Sequence, residues 1–103
     1  MENTTYTVYI LYSERADLFY IGNTALPVTE RLEQHNEGQH QRAASKRGIP
    51  WKVHLTLSCT TRLQARRVEL HIKRMKSKRY VANLTAYPEM QQRLVARYET
   101  LEQ

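Results

Sequence analysis

Apolar and polar residues along the chain form a pattern that predicts three β-strands. Two lie in the stretch VYILYSERADLFYIG (8–22), because Tyr6 to Tyr12 and Leu18 to Asn23 are rich in β-branched and aromatic residues. The short charged connector between them predicts an antiparallel hairpin. The third strand is WKVHLTL (51–57). Apolar and polar residues alternate in it, which predicts that four apolar residues share one face of the strand: Trp51, Val53, Leu55 and Leu57.

A first helix is predicted between Pro27 and Gly38, residues that suit the start and the end of a helix. Its apolar positions recur at helical spacing: Val28, Leu32 and His35. Residues 39–50 are polar and basic without periodicity, which predicts a loop.

The C-terminal half is dominated by helical spacing. Thr61 and Gln64 fit a capping box that opens the longest helix. Its apolar stripe is predicted to contain Ala65, Val68, Ile72 and Met75. A short helix over 80–84 follows, and Pro88 begins a last helix. One face of that last helix carries Met90, Leu94, Tyr98 and Leu101.

These elements predict a single α+β domain over residues 1–103. We expect a small three-stranded antiparallel sheet covered by helices, with a core over about 5–84 and a C-terminal helix over about 88–102. Cys59 is the only cysteine, so no internal disulfide forms, and a small buried side chain is the favoured interpretation. Neither a membrane span nor a signal peptide is evident, so we expect a cytoplasmic protein without a membrane partner.

Charge adds a functional indication. Sixteen Lys and Arg against ten Asp and Glu give a formal net charge of +6. A small protein with this balance is expected to bind a polyanion, nucleic acid before anionic lipid. Such charge gives affinity without sequence preference, and solubility is the alternative explanation.

Two tyrosines of the hairpin are candidates for a shared site. A four-residue loop, Ser13 to Ala16, would place Tyr9 directly opposite Tyr20, whereas a five-residue loop would place Tyr9 opposite Ile21. Gly22 is the next residue on the face of Tyr20, and its missing side chain leaves room beside the phenol. Ordinary strand tyrosines remain the alternative.

The order of several motifs resembles the GIY-YIG nuclease superfamily. Val8-Tyr9-Ile10 followed by Tyr20-Ile21-Gly22 is similar to its two tripeptides, with Val8 in place of the name-giving glycine. Similar segments follow in order: RLEQHN (31–36), KRGIPW (46–51), ARRVE (65–69) and IKRMK (72–76). The chain is similar to small stand-alone bacterial members, and to the N-terminal nuclease domain of the excision-repair incision subunit. The resemblance implies a GIY-YIG-like fold.

The resemblance implies catalytic roles for Tyr9, Tyr20, Arg31, His35 and Glu69. Arg31 and His35 project from one helix face, which a solvated surface would also explain. As a family residue, Arg31 would bind the scissile phosphate, and His35 would be an accessory phosphate contact or a proton shuttle. Tyr9 is favoured as the base that accepts a proton from the attacking water, with Tyr20 as its hydrogen-bonded partner, and the reverse assignment is the alternative. A phenol titrates near ~10, so this role requires nearby cations that lower the pKa.

Glu69 borders the apolar stripe of the longest helix and has two interpretations. Spacing alone favours an ion pair with Lys73 at i+4. The resemblance implies instead that Glu69 is the one acidic ligand of a Mg²⁺ or Mn²⁺ ion, with water completing the shell. The four histidines show no zinc spacing. Asn83 loosely matches a late polar active-site residue of the family.

Basic side chains are expected to follow the phosphates of DNA. They come from the loop before the third strand and from the end of the longest helix: Arg42, Lys46, Arg47, Lys73, Arg74, Lys76, Lys78 and Arg79. Asn23 stands where some family members carry a lysine, so one cationic contact is expected to be missing.

The sequence thus leads to a metal-dependent DNA endonuclease, acting on structured or damaged DNA as in DNA repair. The alternative is a non-catalytic nucleic-acid-binding module on the same fold. A third hypothesis is an interaction domain whose C-terminal helix binds a second copy or a partner protein.

Overall fold

The structure is a computed structural model that describes residues 4–38 and 46–99. In this part of the chain, strands and helices follow in the order β1 Tyr6–Ser13, β2 Leu18–Thr24, α1 Val28–Asn36, β3 Lys52–Cys59, α2 Arg62–Met75, α3 Lys78–Ala86 and α4 Pro88–Arg97. The strands form an antiparallel sheet in the order β2-β1-β3, so β1 is central. The predicted α+β class, a three-stranded antiparallel sheet covered by helices, is confirmed.

Side-chain caps explain where two of the helices begin. The Thr61 hydroxyl accepts a hydrogen bond from the backbone N–H of Gln64 at 3.0 Å and opens α2. The Gln64 side chain in turn accepts from the backbone N–H of Thr60 at 2.8 Å, one residue before the position that a capping box predicts. Ser77 caps α3 in the same way through the N–H of Tyr80. The capping pattern in the sequence therefore located the start of α2, whereas α3 begins at Lys78, two residues before the predicted 80–84 helix, because Ser77 supplies a cap that the prediction did not include.

Two hydrophobic clusters cover the two faces of the sheet. The larger cluster joins the sheet to α2, α3 and α4, and its buried members are Val8, Ile10, Leu57, Cys59, Ala65, Val68, Ile72, Val81, Leu84 and Leu94. The smaller cluster consists of Tyr9, Leu11 and Trp51, against which Val28 and Leu32 of α1 pack. Successive residues of β1 alternate between the clusters, as strand geometry requires. The burial predicted for Cys59, which is 2% exposed, is confirmed.

Strand β3 contradicts the prediction that its apolar residues share one face. Trp51 packs in the smaller cluster, whereas Leu57 packs in the larger one. Ile10 pairs with Leu55, but the next residue of β1 pairs with Val53, which leaves one extra residue on β3. A bulge of this kind moves all preceding side chains to the opposite face, and regular alternation in the sequence conceals it.

The apolar faces of α2 and α4 agree with their predictions except at the ends. Met75, predicted in the stripe of α2, is 45% exposed at the last residue of that helix. On α4, Leu94 is buried, and Met90 and Tyr98 pack against the larger cluster. Three of the four residues predicted on this face therefore pack on the chain's own core, while Leu101 lies outside the described residues. None of the helices in the described ranges is long and apolar enough to cross a membrane.

Candidate active site

Tyr9 and Tyr20 lie on the same face of the β1–β2 hairpin but not directly opposite each other. Tyr9 pairs with Gly22, because the loop runs from Glu14 to Asp17, one residue later than predicted. The predicted direct pairing was therefore wrong, but the resulting offset is two residues, which keeps both side chains on one face. The ring centroids are 6.5 Å apart with planes inclined by 19°, a diagonal cross-strand contact.

Gly22 provides the space for the Tyr9 phenol. A Cβ atom at position 22 would lie 2.6 Å from the Tyr9 hydroxyl oxygen and 2.8 Å from Cζ, closer than packed atoms allow. Tyr9 itself is only 1% exposed. The space left by the missing side chain of Gly22 is thus filled by the Tyr9 ring from the neighbouring strand β1, not by Tyr20, which lies on β2 with Gly22.

His35 lies beneath the two tyrosines and is completely buried. Its Nε2 atom is 3.2 Å from the Tyr9 hydroxyl, and its ring centroid is 4.4 Å from that of Tyr20. His35 lies on the face of α1 that also carries Val28 and Leu32, which pack against the smaller cluster. The predicted phenol partner of Tyr9 was Tyr20, but the hydrogen bond of the Tyr9 phenol is made with His35.

Arg31 lies one helical turn before His35 and is half-buried. One terminal nitrogen of its guanidinium, Nη1, donates to the Gln34 side-chain oxygen at 2.6 Å. The Nε atom is buried and has no hydrogen-bond partner within the described ranges. No ion pair formed by residues 4–38 and 46–99 includes Arg31. The positive charge is thus held by a neutral amide and remains available to an anion.

Burial raises the pKa of the Tyr9 phenol above its ordinary value. Arg31 opposes this shift through hydrogen bonding and its charge, while Tyr20 and Glu69 add to it. Arg31 thus lowers this pKa as expected, but burial has the larger effect and the net shift is upward. The lowering expected from a metal ion stays a prediction. At neutral pH Tyr9 is an uncharged phenol.

The carboxylate of Glu69 on α2 contacts two side-chain donors, Asn23 and Lys73. Its Oε1 atom accepts from the Asn23 side-chain nitrogen, and its Oε2 atom lies 2.6 Å from the Lys73 ammonium nitrogen. The ion pair that the i+4 spacing predicts is therefore present. Asn23 directly follows Gly22 on β2, so adjacent residues of this strand contact Glu69 on one face of the sheet and Tyr9 on the other.

A single hard divalent cation is compatible with this donor set. Mg²⁺ keeps most of its water and typically takes one or two carboxylates, which Glu69 can supply. Its side chain is 13% exposed, so water reaches it. Within the described ranges, no three His, Cys, Asp or Glu side chains converge as a larger metal site would require. A cation held here would thus depend on Glu69 and water, and it would have to displace Lys73.

The remaining predicted residues are spread over the surface. Asn83 is exposed on α3, and none of its described contacts involves the tyrosines or Glu69. The cations of the nucleic-acid prediction that are described are all exposed: Lys46, Arg47, Lys73, Arg74, Lys76, Lys78 and Arg79. Lys78 pairs with Asp17 at 2.6 Å. Arg42 lies outside the described residues.

Two contacts of the site were missed by sequence reasoning. Gln34 holds Arg31, and its position at i+3 is a spacing that could have indicated the pair. Asn23 holds Glu69, but the two residues are 46 positions apart, so no local signal exists. The sequence indicated only that Asn23 replaces a lysine of some family members, not that it contacts Glu69.

Comparisons with known proteins agree with the motif order. A sequence model described as the GIY-YIG catalytic domain matches residues 5–81. Among solved structures, the chain is similar to the UPF0213 protein BH0048 from Bacillus halodurans, determined by solution NMR, with 25% identity and a TM-score of 0.49. That match covers 85% of this chain and 93% of the other. The search of curated proteins finds no match.

Proposed function

The chain belongs to the GIY-YIG family, and we propose that it is a metal-dependent endonuclease that hydrolyses phosphodiester bonds in structured or damaged DNA. The observation that carries this proposal is the half-buried guanidinium of Arg31. Its Nε atom is buried without a partner within the described ranges, beside the hydrogen-bonded pair of Tyr9 and His35. A buried N–H group without a hydrogen-bond partner is costly, and a partly buried cation is stabilised when a ligand supplies the anion.

Arg31 would bind the scissile phosphate. The guanidinium stays charged at every physiological pH and offers several donors in one plane, which suits phosphate oxygens. Gln34 fixes one terminal nitrogen, Nη1, at 2.6 Å, and Arg31 also interacts with the Tyr9 phenol through a hydrogen bond. A phosphate bound to the half-buried guanidinium would neutralise its charge beside these groups.

Tyr9 and His35 would move the proton of the attacking water. Because its pKa is raised, Tyr9 does not stand ready as a phenolate. The phenol oxygen can accept a proton from water only if its own proton leaves at the same time. His35 Nε2, at 3.2 Å, is positioned to receive it when that nitrogen is unprotonated. This role corresponds to the proton-shuttle alternative for His35.

Glu69 would hold the divalent cation, Mg²⁺ or Mn²⁺. When bound, such an ion stabilises negative charge on the phosphate and on the leaving oxygen. The side chain of Glu69 is kept in one orientation by Asn23, on the strand that also carries Gly22 and Tyr20. The substrate phosphate would therefore contact groups brought together from both faces of β2.

DNA binding would depend on phosphate contacts. Exposed cations lie at the C-terminal end of the helix that carries Glu69: Arg74 belongs to its last turn, and Lys76 directly follows its last residue. Trp51 is buried in the smaller cluster, so it is no platform for base stacking. Recognition would thus rest on charge and shape, with strong dependence on salt.

The test compares cleavage of plasmid and branched DNA by the wild type and by Glu69→Gln, with Mg²⁺ or Mn²⁺ present. We expect the variant to retain DNA binding and to lose cleavage, because it lacks the carboxylate charge but keeps the size of the side chain. Glu89→Gln, an exposed residue in the first turn of α4, is the matched control and should cleave normally.

Two outcomes would contradict the proposal in different ways. Salt-dependent binding without cleavage by the wild type would favour the non-catalytic binding module. Equal cleavage by the wild type and Glu69→Gln would show that the activity does not come from this site.

A further inference from the structure

The Glu69 carboxylate is shared between two donors that differ in how firmly they are fixed. Asn23 reaches Oε1 from the sheet, where its backbone is paired with Val8. Lys73 reaches Oε2 at 2.6 Å along α2, and its side chain is 46% exposed. The amide is therefore anchored by its strand, whereas the ammonium belongs to a side chain that is nearly half exposed to solvent.

Simultaneous binding of an ammonium and a divalent cation to this carboxylate is unfavourable. An ion on either oxygen would lie within a few ångströms of the Lys73 nitrogen, and like charges at that separation repel strongly when partly shielded from water. Asn23 carries no charge and opposes a cation much less. Lys73 is thus the group that competes with a metal ion for Glu69.

Release of Lys73 would place its ammonium on a surface that already carries exposed cations. Arg74 and Lys76 follow it at the end of α2, and both are exposed. An ammonium beside them adds one more positive charge where phosphates are expected to pass.

On the premise of the proposed function, we propose that Lys73 exchanges between two anions: the Glu69 carboxylate and a phosphate of DNA. A divalent cation at Glu69 displaces the ammonium, and the displaced ammonium then binds a phosphate. Metal binding and DNA binding consequently strengthen each other, because each removes Lys73 from the competing position. By linkage, the factor is the same in both directions.

The first experiment measures Mn²⁺ binding to the protein without DNA, by electron paramagnetic resonance of the unbound ion. Lys73→Met removes the competing charge and should bind Mn²⁺ about tenfold more tightly than the wild type. Lys76→Met is the matched control, since it removes the same charge from the same helix end without touching Glu69, and should change affinity far less. Lys73→Arg keeps a cation at this position and should resemble the wild type.

The second experiment measures binding of a labelled DNA duplex by fluorescence anisotropy over a range of salt, with and without Ca²⁺, and checks on gels that the DNA stays intact. For the wild type, Ca²⁺ should steepen the slope of log K against log salt by roughly one unit, the value of one phosphate contact. Lys73→Met should lack this change, whereas Lys76→Met should retain it.

Equal Mn²⁺ affinity of the wild type and Lys73→Met would overturn the exchange and leave the metal site intact. Absence of Mn²⁺ binding in both would overturn the metal site of the proposed function as well. Cleavage is not measured in either experiment, so an inactive wild type leaves both outcomes interpretable. Circular dichroism confirms that each variant is folded.

Discussion

On the face of the sheet that α2, α3 and α4 cover, β1 buries Val8 and Ile10; on the face that α1 covers, it buries Tyr9 and Leu11. The first face belongs to an extended apolar cluster. Its buried polar side chain, Gln64, is paired with backbone groups of Thr60 and Val95. That arrangement is what stability requires.

The α1 face instead contains a buried histidine, a buried phenol and an arginine nitrogen without a partner in the described ranges. Burying such groups costs free energy, and natural proteins accept this cost mainly where function needs it. One strand thus serves both purposes: Val8 and Ile10 pack in the larger cluster on one face, and Tyr9 on the other face carries the candidate chemistry.

The largest expected effect is a loss of cleavage activity when a residue of the α1 face is substituted. Tyr9→Phe should lower the cleavage rate by about 10² to 10⁴-fold, because the proton relay loses its middle group. The free energy of unfolding should fall by only about 0.5–1.5 kcal/mol, the typical net value of one hydrogen bond. Tyr12→Phe, which removes an exposed hydroxyl from the same strand, is the control in both assays. A wild-type rate for Tyr9→Phe would assign the chemistry elsewhere.

The next effect concerns stability on the opposite face. Ile72→Ala should lower the free energy of unfolding by about 2–5 kcal/mol, since it empties a packed position that is 2% exposed. Leu70→Ala, on the same helix but 39% exposed, should change it by less than about 0.5 kcal/mol. Urea unfolding followed by circular dichroism measures both. Similar losses for the two variants would mean that the larger cluster does not dominate stability.

A smaller loss is expected at the contact between β2 and Tyr9. Gly22→Ala should cost about 1–3 kcal/mol through overpacking, because the new Cβ would meet the phenol ring. In a Tyr9→Val background the same substitution should cost much less, and a double-mutant cycle on urea unfolding measures the difference. Additive losses would show that the glycine is needed for another reason.

The smallest effect is a dependence on alkaline pH in the larger cluster. Burial raises the pKa of the Cys59 thiol to about 11. The folded state thus favours the neutral thiol, so this contribution is fully present below the ordinary thiol pKa of about 8.5 and is lost as pH rises towards 11. Urea unfolding of Cys59→Ala should depend less on pH over this range than that of the wild type. Identical pH dependence would show that the thiol has the same pKa in the folded and unfolded states.

Much of the fold followed from the sequence because its signals are local. Strand composition, the cap at Thr61, and the positions of Pro27 and Pro88 all act within a few residues. The hairpin register did not follow, since it depends on side chains in the turn. The Ser13 hydroxyl accepts from the backbone N–H of Ala16 at 3.0 Å, which keeps Ser13 in the strand and moves the loop by one residue.

The candidate site was predictable only in part. Arg31 and His35 share a helix face by spacing, but their roles came from resemblance. The effect of burial on Tyr9 could not be inferred, because it depends on how Trp51 and His35 enclose the ring from distant parts of the chain. The same is true of Asn23, whose partner Glu69 is close only after α2 packs on the sheet.

The contact between Gly22 and Tyr9 has an evolutionary consequence. Any side chain at position 22 would collide with the phenol, so a library that randomises both positions should yield folded proteins in two groups. One group would keep glycine with the aromatic ring, and the other would combine a larger residue at 22 with a shorter one at 9. A single substitution that leads from one group to the other would give an intermediate with either a steric clash at position 22 or a cavity at position 9. Both intermediates are less stable, so selection for stability links the residues at the two positions.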